Sequence, residues 1–507
     1  MDAWISREPT LSSDGMSVSV REGNPDIRIN WRLAFALVVF AYCAFMIPQL
    51  PAFRIIVGDE PVYLDPAINL AEGTGLRSSA WWQHPSETWA GNVPLHALVS
   101  AGWISLGAGE GYVANRLMSF AFFVVALWIF AETFARTLSG MRSWQPALFA
   151  MLLLLSLYGS AISQGIRPDA LAMLILAGWV FFQSSDRPLV RVLSSFIAGF
   201  LCILTGFQVA LALMIYFAAI AFLDINFFRR AGEAAAAGAG FLAALVLLYW
   251  FYSRCGVWDV FWNSTFGMQA NRFEQWQGLR DPVLWATTLV CLAGLFQGGA
   301  TARIARAGLT GGIGLALIFF AIMKFPQYYA FFALVPSCAV AAAILPRLKP
   351  APMKWSLGIL LGSSCAISFP LVCIMTWNNW EARSYSRVET WAQQTVRPND
   401  VAFVNPSAYF AVRPLAADIF TNATLKTLST EERRKINLVI IWTDREGPNT
   451  SYGEIMKYLP GDWQLVSSYE ATEGLSARWA KLAFLNRLSA VSPYRFTAYR
   501  RSEYPSR

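Results

Sequence analysis

Long apolar runs alternate with short polar or basic stretches over the first three quarters of the chain. A run of about 20 apolar residues crosses the hydrocarbon core of a bilayer as a helix, whereas a membrane β-barrel would alternate within segments of about ten residues. The pattern therefore predicts an α-helical polytopic membrane protein. The predicted spans lie at about 33–50, 112–135, 145–163, 170–184, 192–205, 208–224, 233–252, 282–299, 308–323, 328–345 and 355–376.

The basic residues between these spans predict an orientation, because cytoplasmic loops carry an excess of lysine and arginine. With all five basic loops inside, the 1–30 tail is cytoplasmic and the end of the chain after the eleventh predicted span lies outside. The loops contain Arg136 and Arg142; Arg187 and Arg191; Arg229 and Arg230; Arg303 and Arg306; and Arg347, Lys349 and Lys354.

The first outer loop, residues 51–110, contains an apolar segment at 93–106 that complicates this orientation. If the segment crossed the membrane, the arginine loops that follow would face outward. We therefore expect a juxtamembrane or re-entrant helix, whose non-helical ends need protein or water around them. The alternative is that this segment spans the membrane and a later pair of short segments does not.

The composition changes after residue 377, where the membrane domain predicted over 31–377 ends. Residues 378–507 are rich in lysine and arginine and have β-branched and aromatic runs at 401–405, 438–442, 464–469 and 494–499. Such runs are typical of strands, and segments 430–435 and 452–458 resemble short helices. We expect a small α/β domain on the outer face.

Composition supports a membrane protein and excludes several other classes. Of the 507 residues, 14% are charged and 56% hydrophobic, against about 25% charged in soluble domains. The net charge of +8 suits topology and anionic membrane lipid better than nucleic acid. The seven cysteines show no CxxC spacing, so we predict no disulfide framework or zinc site. Walker A, Gly-Xaa-Ser-Xaa-Gly and HExxH motifs are missing from the sequence.

The predicted orientation brings many polar side chains to one face of the membrane. The outer-face group comprises Asp59, Glu60, His84, His96, Arg116, Arg167, Asp169, Gln208, Arg272, Lys324, Gln327, Tyr328 and Tyr329. Asp59 and Glu60 are the most informative, because carboxylates beside a bilayer are costly unless they are solvated or paired. They can supply a general base with a metal or hydrogen-bonding partner, or form a solvated acidic pair at a helix end.

Two later motifs each allow a structural and a functional interpretation. Arg167-Pro-Asp169 begins a span, and an acidic residue in the first turn suits the helix dipole. Lys324, followed by Tyr328 and Tyr329, can neutralise a phosphate and donate hydrogen bonds to its oxygens. The structural alternatives are a local Arg–Asp pair for the first motif and a snorkelling lysine in an aromatic belt for the second.

Weaker signals come from the histidines and from an aromatic segment. His84 and His96 can ligate a metal together with Glu60, although interfacial packing or hydrogen bonding to a substrate explains two isolated histidines as well. Segment 258–276 is amphipathic and aromatic, which suits a helix lying in the membrane interface. It can also grip a lipid chain or a sugar face, with Arg272 on a phosphate.

The ordered motifs resemble those of the GT-C superfamily of membrane glycosyltransferases. The resemblance covers roughly residues 33–345 and is strongest to the branch of protein O-mannosyltransferases and of the aminoarabinose and uronic-acid transferases that modify lipopolysaccharide. The motifs are Gly58-Asp59-Glu60 with Tyr63; Gly73-Thr-Gly75; Asn92-Val-Pro94-Leu95; Ala114-Asn-Arg116-Leu117; Arg167-Pro-Asp169; and Lys324 with Tyr328-Tyr329. Asn92-Val93 stands where many relatives have Lys-Pro.

The resemblance implies a GT-C-like fold of about eleven membrane helices. It also implies an inverting transfer from a polyprenyl-phosphate sugar to a lipid, glycan or protein acceptor, at the outer face of a bacterial inner membrane. The rival functions are a lipid-linked glycan flippase, or a glycan polymerase or ligase with a diphosphate-linked donor.

The resemblance also suggests roles for individual residues. It makes Asp59 the base, with Glu60 and Asp169 as supporting carboxylates. The expected donor-phosphate ligands are Lys324, Tyr328, Arg116, Arg167 and Arg272. The expected substrate contacts are Tyr63, His84, His96, Gln327 and Tyr329. Whether a divalent cation is also required, with Glu60 as a ligand, stays open at this point.

Overall fold

A computed structural model describes most of the chain. It covers residues 30–52, 56, 59–137, 144–159, 161–223, 227–267, 277–322, 325–377, 380–421, 424–443, 453, 455–471 and 494–502. A bundle of apolar helices is followed by a small mixed sheet with short helices.

The helices in these residues are numbered in chain order. They are α1 Trp31–Met46, α2 Asp59–Ala71, α3 Leu95–Trp103, α4 Tyr112–Thr137, α5 Gln145–Leu154, α6 Asp169–Gln183, α7 Pro188–Thr205, α8 Phe207–Ala221, α9 Phe227–Arg254, α10 Trp258–Trp262, α11 Pro282–Leu295, α12 Gly299–Leu309, α13 Leu315–Ala321, α14 Ala330–Ile344, α15 Ala351–Ala366, α16 Phe369–Trp377, α17 Trp380–Arg383, α18 Tyr385–Thr395, α19 Tyr409–Val412 and α20 Thr430–Lys435.

Seven helical segments in the described ranges are long and apolar enough to cross a membrane. They are Trp31–Gln49, Tyr112–Thr137, Pro188–Thr205, Arg230–Arg254, Gly299–Ala321, Ala330–Arg347 and Ala351–Ile374. Shorter apolar helices occupy Gln145–Leu154, Asp169–Gln183, Phe207–Ala221 and Pro282–Leu295, and another occupies Leu95–Ala108 in the first outer loop. Each predicted span overlaps one of these helices, which confirms a polytopic α-helical fold. The number that cross, and their orientation, stay predictions.

Two predicted spans differ most from the helices of the structure. The span predicted over 145–163 is helical only to Leu154, since the Ser156 hydroxyl donates to the Leu153 carbonyl at 2.7 Å and accepts from the Gly159 amide at 2.9 Å. These local bonds compete with the helical ladder. Arg303 and Arg306, predicted in a loop, instead lie on α12, which continues through a π-turn into α13. Both are exposed three residues apart, as on the polar face of an amphipathic helix.

Helices α7 and α9 pack backbone to backbone. A Cβ atom added to Gly199 would lie 2.2 Å from the Ala237 carbonyl oxygen, and one added to Gly240 would lie 2.1 Å from the Phe196 carbonyl oxygen. Small residues let membrane helices bring their backbones this close. Glycine at these two positions therefore sets the separation of the two helices.

The sheet contains five strands in the order β2-β1-β3-β5-β4. Their bounds are β1 Val401–Val404, β2 Asp418–Thr421, β3 Leu438–Trp442, β4 Trp463–Glu470 and β5 Arg495–Arg501. β1 pairs in parallel with β2 and β3, and β5 pairs antiparallel with β3 and β4. The sequence analysis predicted four of these strands and missed β2, which begins with a charged residue, Asp418, of a type that strands disfavour.

The sheet domain packs directly onto the first outer loop. One buried apolar cluster contains Ile56, Leu64 and Ile68 from the region of α2 together with Tyr385 and Tyr494 from the C-terminal segment. The helix that begins at Asp59 is thus enclosed by the bundle on one side and by the α/β domain on the other.

Candidate active site

The site begins at the first turn of α2, where Asp59 and Glu60 have opposite environments. The Asp59 side chain is 49% exposed, while the Glu60 side chain is fully buried. Carboxylates in a first helical turn are favoured by the dipole. Because consecutive helical residues point in different directions, one carboxylate can face open space while its neighbour faces the protein.

Glu60 forms a buried ion pair with Arg116 of α4. The guanidinium donates to both carboxylate oxygens, from Nε at 2.9 Å and from Nη2 at 2.8 Å, and its Nη1 donates to the Leu50 carbonyl at 2.8 Å. The Ile166 amide also donates to Glu60, at 3.1 Å. Glu60 therefore joins the start of α2 to α4 and to the turn that carries Arg167.

Arg167 bridges the two remaining acidic residues of the site. Its Nη1 donates to Asp59, and its Nε donates to Asp169 at 2.8 Å. Burial alone would lower the pKa of Arg167, but the negative charges of Asp169 and Asp59 raise it well above its ordinary value. The three side chains come from the start of α2, from the turn before α6 and from the first residue of α6.

Two tyrosine rings enclose the Arg167 guanidinium. Its central carbon lies 3.8 Å from the centre of the Tyr328 ring and 5.5 Å from that of Tyr63. A guanidinium over an aromatic face gains electrostatic attraction. Tyr329 meets Tyr328 edge to face at 4.8 Å. Four residues that the sequence analysis placed in the site, Tyr63, Arg167, Asp169 and Tyr328, are therefore contiguous with Asp59.

His96 contacts the far side of this cluster, through the ring of Tyr63. Its imidazole meets Tyr63 edge to face at 5.8 Å, and the Tyr63 hydroxyl accepts a 3.0 Å hydrogen bond from Asn92. The side chain is buried, and neither ring nitrogen has a hydrogen-bond partner in the part of the chain that the structure describes. Burial, and to a smaller extent the charge of Arg167, lowers the pKa of His96 to about 3. His96 is thus a neutral imidazole with both nitrogens available.

The second histidine contacts a different part of the molecule. His84 Nε2 lies 3.1 Å from both carboxylate oxygens of Glu432 in the α/β domain. Within the described residues, no group of three or more His, Cys, Asp or Glu side chains is placed to hold a metal ion. Both oxygens of Glu60 bind Arg116. In the described parts of the chain, Glu60, His84 and His96 therefore do not come together as the predicted metal site.

The remaining predicted site residues divide into two groups. Arg272 and Lys324 lie outside the described residues, as does the side chain of Gln327. Arg116 is described, and it was expected to bind the donor phosphate. Its Nε, Nη1 and Nη2 instead donate to Glu60 and Leu50 in a fully buried position.

The sequence analysis gave no role to Asp65, which is fully buried on α2. It accepts hydrogen bonds from Tyr409 and from Arg413 Nη1, the latter at 3.0 Å, both in the α/β domain. A carboxylate between apolar positions of a short helix is the one local signal that could have marked it. These two partners are more than 340 residues away, so no local pattern could have named them.

Comparison with known proteins supports the fold. The sequence matches no protein-family model and no curated protein. Among solved structures, ArnT from Cupriavidus metallidurans in the apo state matches with a TM-score of 0.54 and 13% identity over 93% of this chain and 98% of that chain. The same protein bound to undecaprenyl phosphate matches with a TM-score of 0.53 and 13% identity over 92% of this chain and 97% of that chain. This chain therefore shares its overall fold with ArnT.

Proposed function

We propose that this protein is an inverting glycosyltransferase of the bacterial inner membrane. It takes a sugar from a polyprenyl-phosphate carrier at the outer face and attaches it to a lipid, glycan or protein. The observation that carries the proposal is the half-exposed carboxylate of Asp59, which Arg167 holds in place at the start of α2. The fold supports a lipid-phosphate donor, since an ArnT structure of similar fold was solved with undecaprenyl phosphate.

Asp59 is the proposed general base because it is the accessible carboxylate of the cluster. Asp169 and Glu60 are each nearly or fully buried in ion pairs. In the reaction, the acceptor hydroxyl gives its proton to Asp59 and its oxygen bonds to the anomeric carbon. The bond from that carbon to the phosphate oxygen breaks, and its electron pair leaves with the lipid phosphate. Attack opposite the leaving group inverts the anomeric centre.

The sequence analysis expected Arg116 and Arg167 to bind the donor phosphate, and the geometry favours a different resting role for both. Before the reaction, Arg116 and Arg167 hold carboxylates in position, and the cations proposed to bind the donor phosphate at this stage are Lys324 and Arg272. When Asp59 takes up a proton, its attraction for Arg167 weakens. The guanidinium would then offer Nη1 to the phosphate as negative charge develops there, which is electrostatic stabilisation of the kind that lowers barriers most.

The proposed function is tested in a deletion strain by mass spectrometry of its cell-envelope lipids, glycans and glycoproteins. We expect one envelope lipid, glycan or glycoprotein of the deletion strain to be lighter than in the wild-type strain by the mass of one monosaccharide. Expression of the wild-type protein should restore the heavier species. Asp59→Asn should restore at most about 1% at early times, because a positioned base contributes about a hundred- to ten-thousandfold. Glu87→Gln, which alters an exposed carboxylate of the same loop, is the matched control and should restore the species fully.

The outcomes separate the proposal from its alternatives. Full restoration by Asp59→Asn would show that Asp59 is not the base. Accumulation of unmodified lipid-linked glycan on the inner leaflet, with no loss of a sugar from any outer-face acceptor, would favour a flippase instead.

A further inference from the structure

Helix α2 needs support from outside its own residues. It has only 13 residues and contains Pro66 in its interior. A proline there cannot donate a hydrogen bond to the carbonyl four residues earlier, at Val62, and its ring crowds that carbonyl. Isolated helices of this length are marginal even with favourable sequences. Yet α2 carries Asp59, Glu60 and Tyr63, whose positions the proposed reaction requires.

The α/β domain supplies that support through Asp65. The buried carboxylate accepts from the Tyr409 hydroxyl and from Arg413 Nη1, at 3.0 Å for the latter. It also accepts from the Ser78 hydroxyl at 2.8 Å and from the Ser79 amide at 2.7 Å. Hydrogen bonds that involve a charged group are about twice as strong as neutral ones. Tyr409 and Arg413 thus tie Asp65 to the α/β domain, while Ser78 and Ser79 tie it to the first outer loop.

Arg413 extends the junction along one face of α2. Its Nη2 donates to Asn69 at 3.2 Å and to Glu72 at 3.0 Å. Asp65, Asn69 and Glu72 are spaced as i, i+4 and i+7, the spacing of one helical face. A single guanidinium from the α/β domain therefore contacts the C-terminal half of α2 and Glu72, the residue after its end, across about two turns.

We infer that the C-terminal α/β domain is a positioning element of the active site, which holds α2 through the Asp65–Tyr409–Arg413 junction. The inference rests on the proposed function, because it assigns α2 the catalytic base. Asp65 lies about 9 Å along the helix axis from Asp59, at about 1.5 Å per residue. Displacing a reacting group by about 1 Å can cost about a hundredfold in rate. Release of the junction should therefore slow the chemical step and leave donor binding largely intact.

Hydrogen exchange in the purified full-length protein tests the junction directly. Arg413→Ala and Tyr409→Phe should each raise amide exchange in residues 59–71 by about tenfold or more, while exchange in β1 and β3 changes little. Arg433→Ala is the matched control, because Arg433 belongs to the same domain but donates to Leu425 and Lys426 instead of α2. Unchanged exchange over 59–71 in both test variants, or an equal rise in α2 and β1, would overturn the inference.

A kinetic experiment separates positioning from folding. The probe is whichever synthetic undecaprenyl-phosphate monosaccharide the wild-type protein turns over. Arg413→Ala should lower kcat at least tenfold with KM changed less than threefold, and Arg413→Lys should recover part of kcat. An unchanged kcat, or a change confined to KM, would contradict a positioning role. If the wild-type protein turns over no such donor, the proposed function fails, whereas hydrogen exchange still decides whether the junction holds α2.

Discussion

Replacing Glu60 by glutamine should destabilise the protein far more than replacing an exposed glutamate. Both side chains of the Glu60–Arg116 pair are fully buried, and the carboxylate receives three hydrogen bonds. Glutamine keeps the shape and one acceptor oxygen but leaves the guanidinium charge buried without a counter-charge. Removing one partner of a buried pair costs about 3–5 kcal/mol. We expect the lower end, about 3 kcal/mol, because the Leu50 carbonyl and the amide oxygen still accept from Arg116.

The assay is equilibrium unfolding in mixed micelles during titration with a denaturing detergent, followed by tryptophan fluorescence. Glu381→Gln is the control, since its pair with Arg387 is exposed and such pairs contribute at most about 1 kcal/mol. The double variant Glu60→Gln/Arg116→Met should be more stable than Glu60→Gln alone, because it removes the unpaired charge. A loss below about 1 kcal/mol for Glu60→Gln, or a double variant less stable than the single one, would refute the reasoning.

Three further predictions follow from packing, burial and stacking. Gly240→Ala should lower the free energy of unfolding by about 1–3 kcal/mol through overpacking, whereas Gly238→Ala, with open space around its Cβ, should not; equal effects would contradict the close α7–α9 contact. With the pKa of His96 lowered to about 3, the unfolded state binds the proton first, so stability should fall as pH drops from about 6.5 towards 3, by up to about 1.4 kcal/mol per unit. His96→Gln should flatten that slope in pH-dependent unfolding, and an unchanged slope would count against the buried neutral imidazole. Tyr328→Leu should lower the transfer rate more than Tyr328→Phe, because phenylalanine keeps a ring over Arg167; equal rates for the two variants would contradict this contact.

Local patterns in the sequence were sufficient to predict the helical bundle and part of the site. Apolar run length predicted where the membrane helices lie, and the positive-inside rule placed Asp59, Arg167 and Tyr328 on one face before any coordinates. The structure then brought those three into contact. Helix ends were less predictable. Helix α5 ends at Leu154, where the Ser156 hydroxyl hydrogen-bonds the Leu153 carbonyl and the Gly159 amide in place of helical partners.

Roles that depend on distant partners could not be predicted. From the sequence alone, Arg116 is a cation that could bind a phosphate. The structure pairs it instead with Glu60, which lies 56 residues earlier in the chain. Asp65 shows the same limit, because Tyr409 and Arg413 belong to another domain. A charged residue in sequence shows only that a partner is required, and the tertiary fold decides whether that partner is a substrate or another side chain.

The most direct test of the central claim is release of undecaprenyl phosphate by the purified protein. Wild-type protein would be incubated with a panel of synthetic undecaprenyl-phosphate and undecaprenyl-diphosphate monosaccharides and an extract of envelope acceptors from the deletion strain. Chromatography would follow the free carrier, and mass spectrometry the glycosylated product. The account predicts release coupled one to one with product for at least one monosaccharide donor, and a loss of at least a hundredfold in Asp59→Asn. Turnover only of diphosphate-linked donors, or equal rates in wild type and Asp59→Asn, would contradict it.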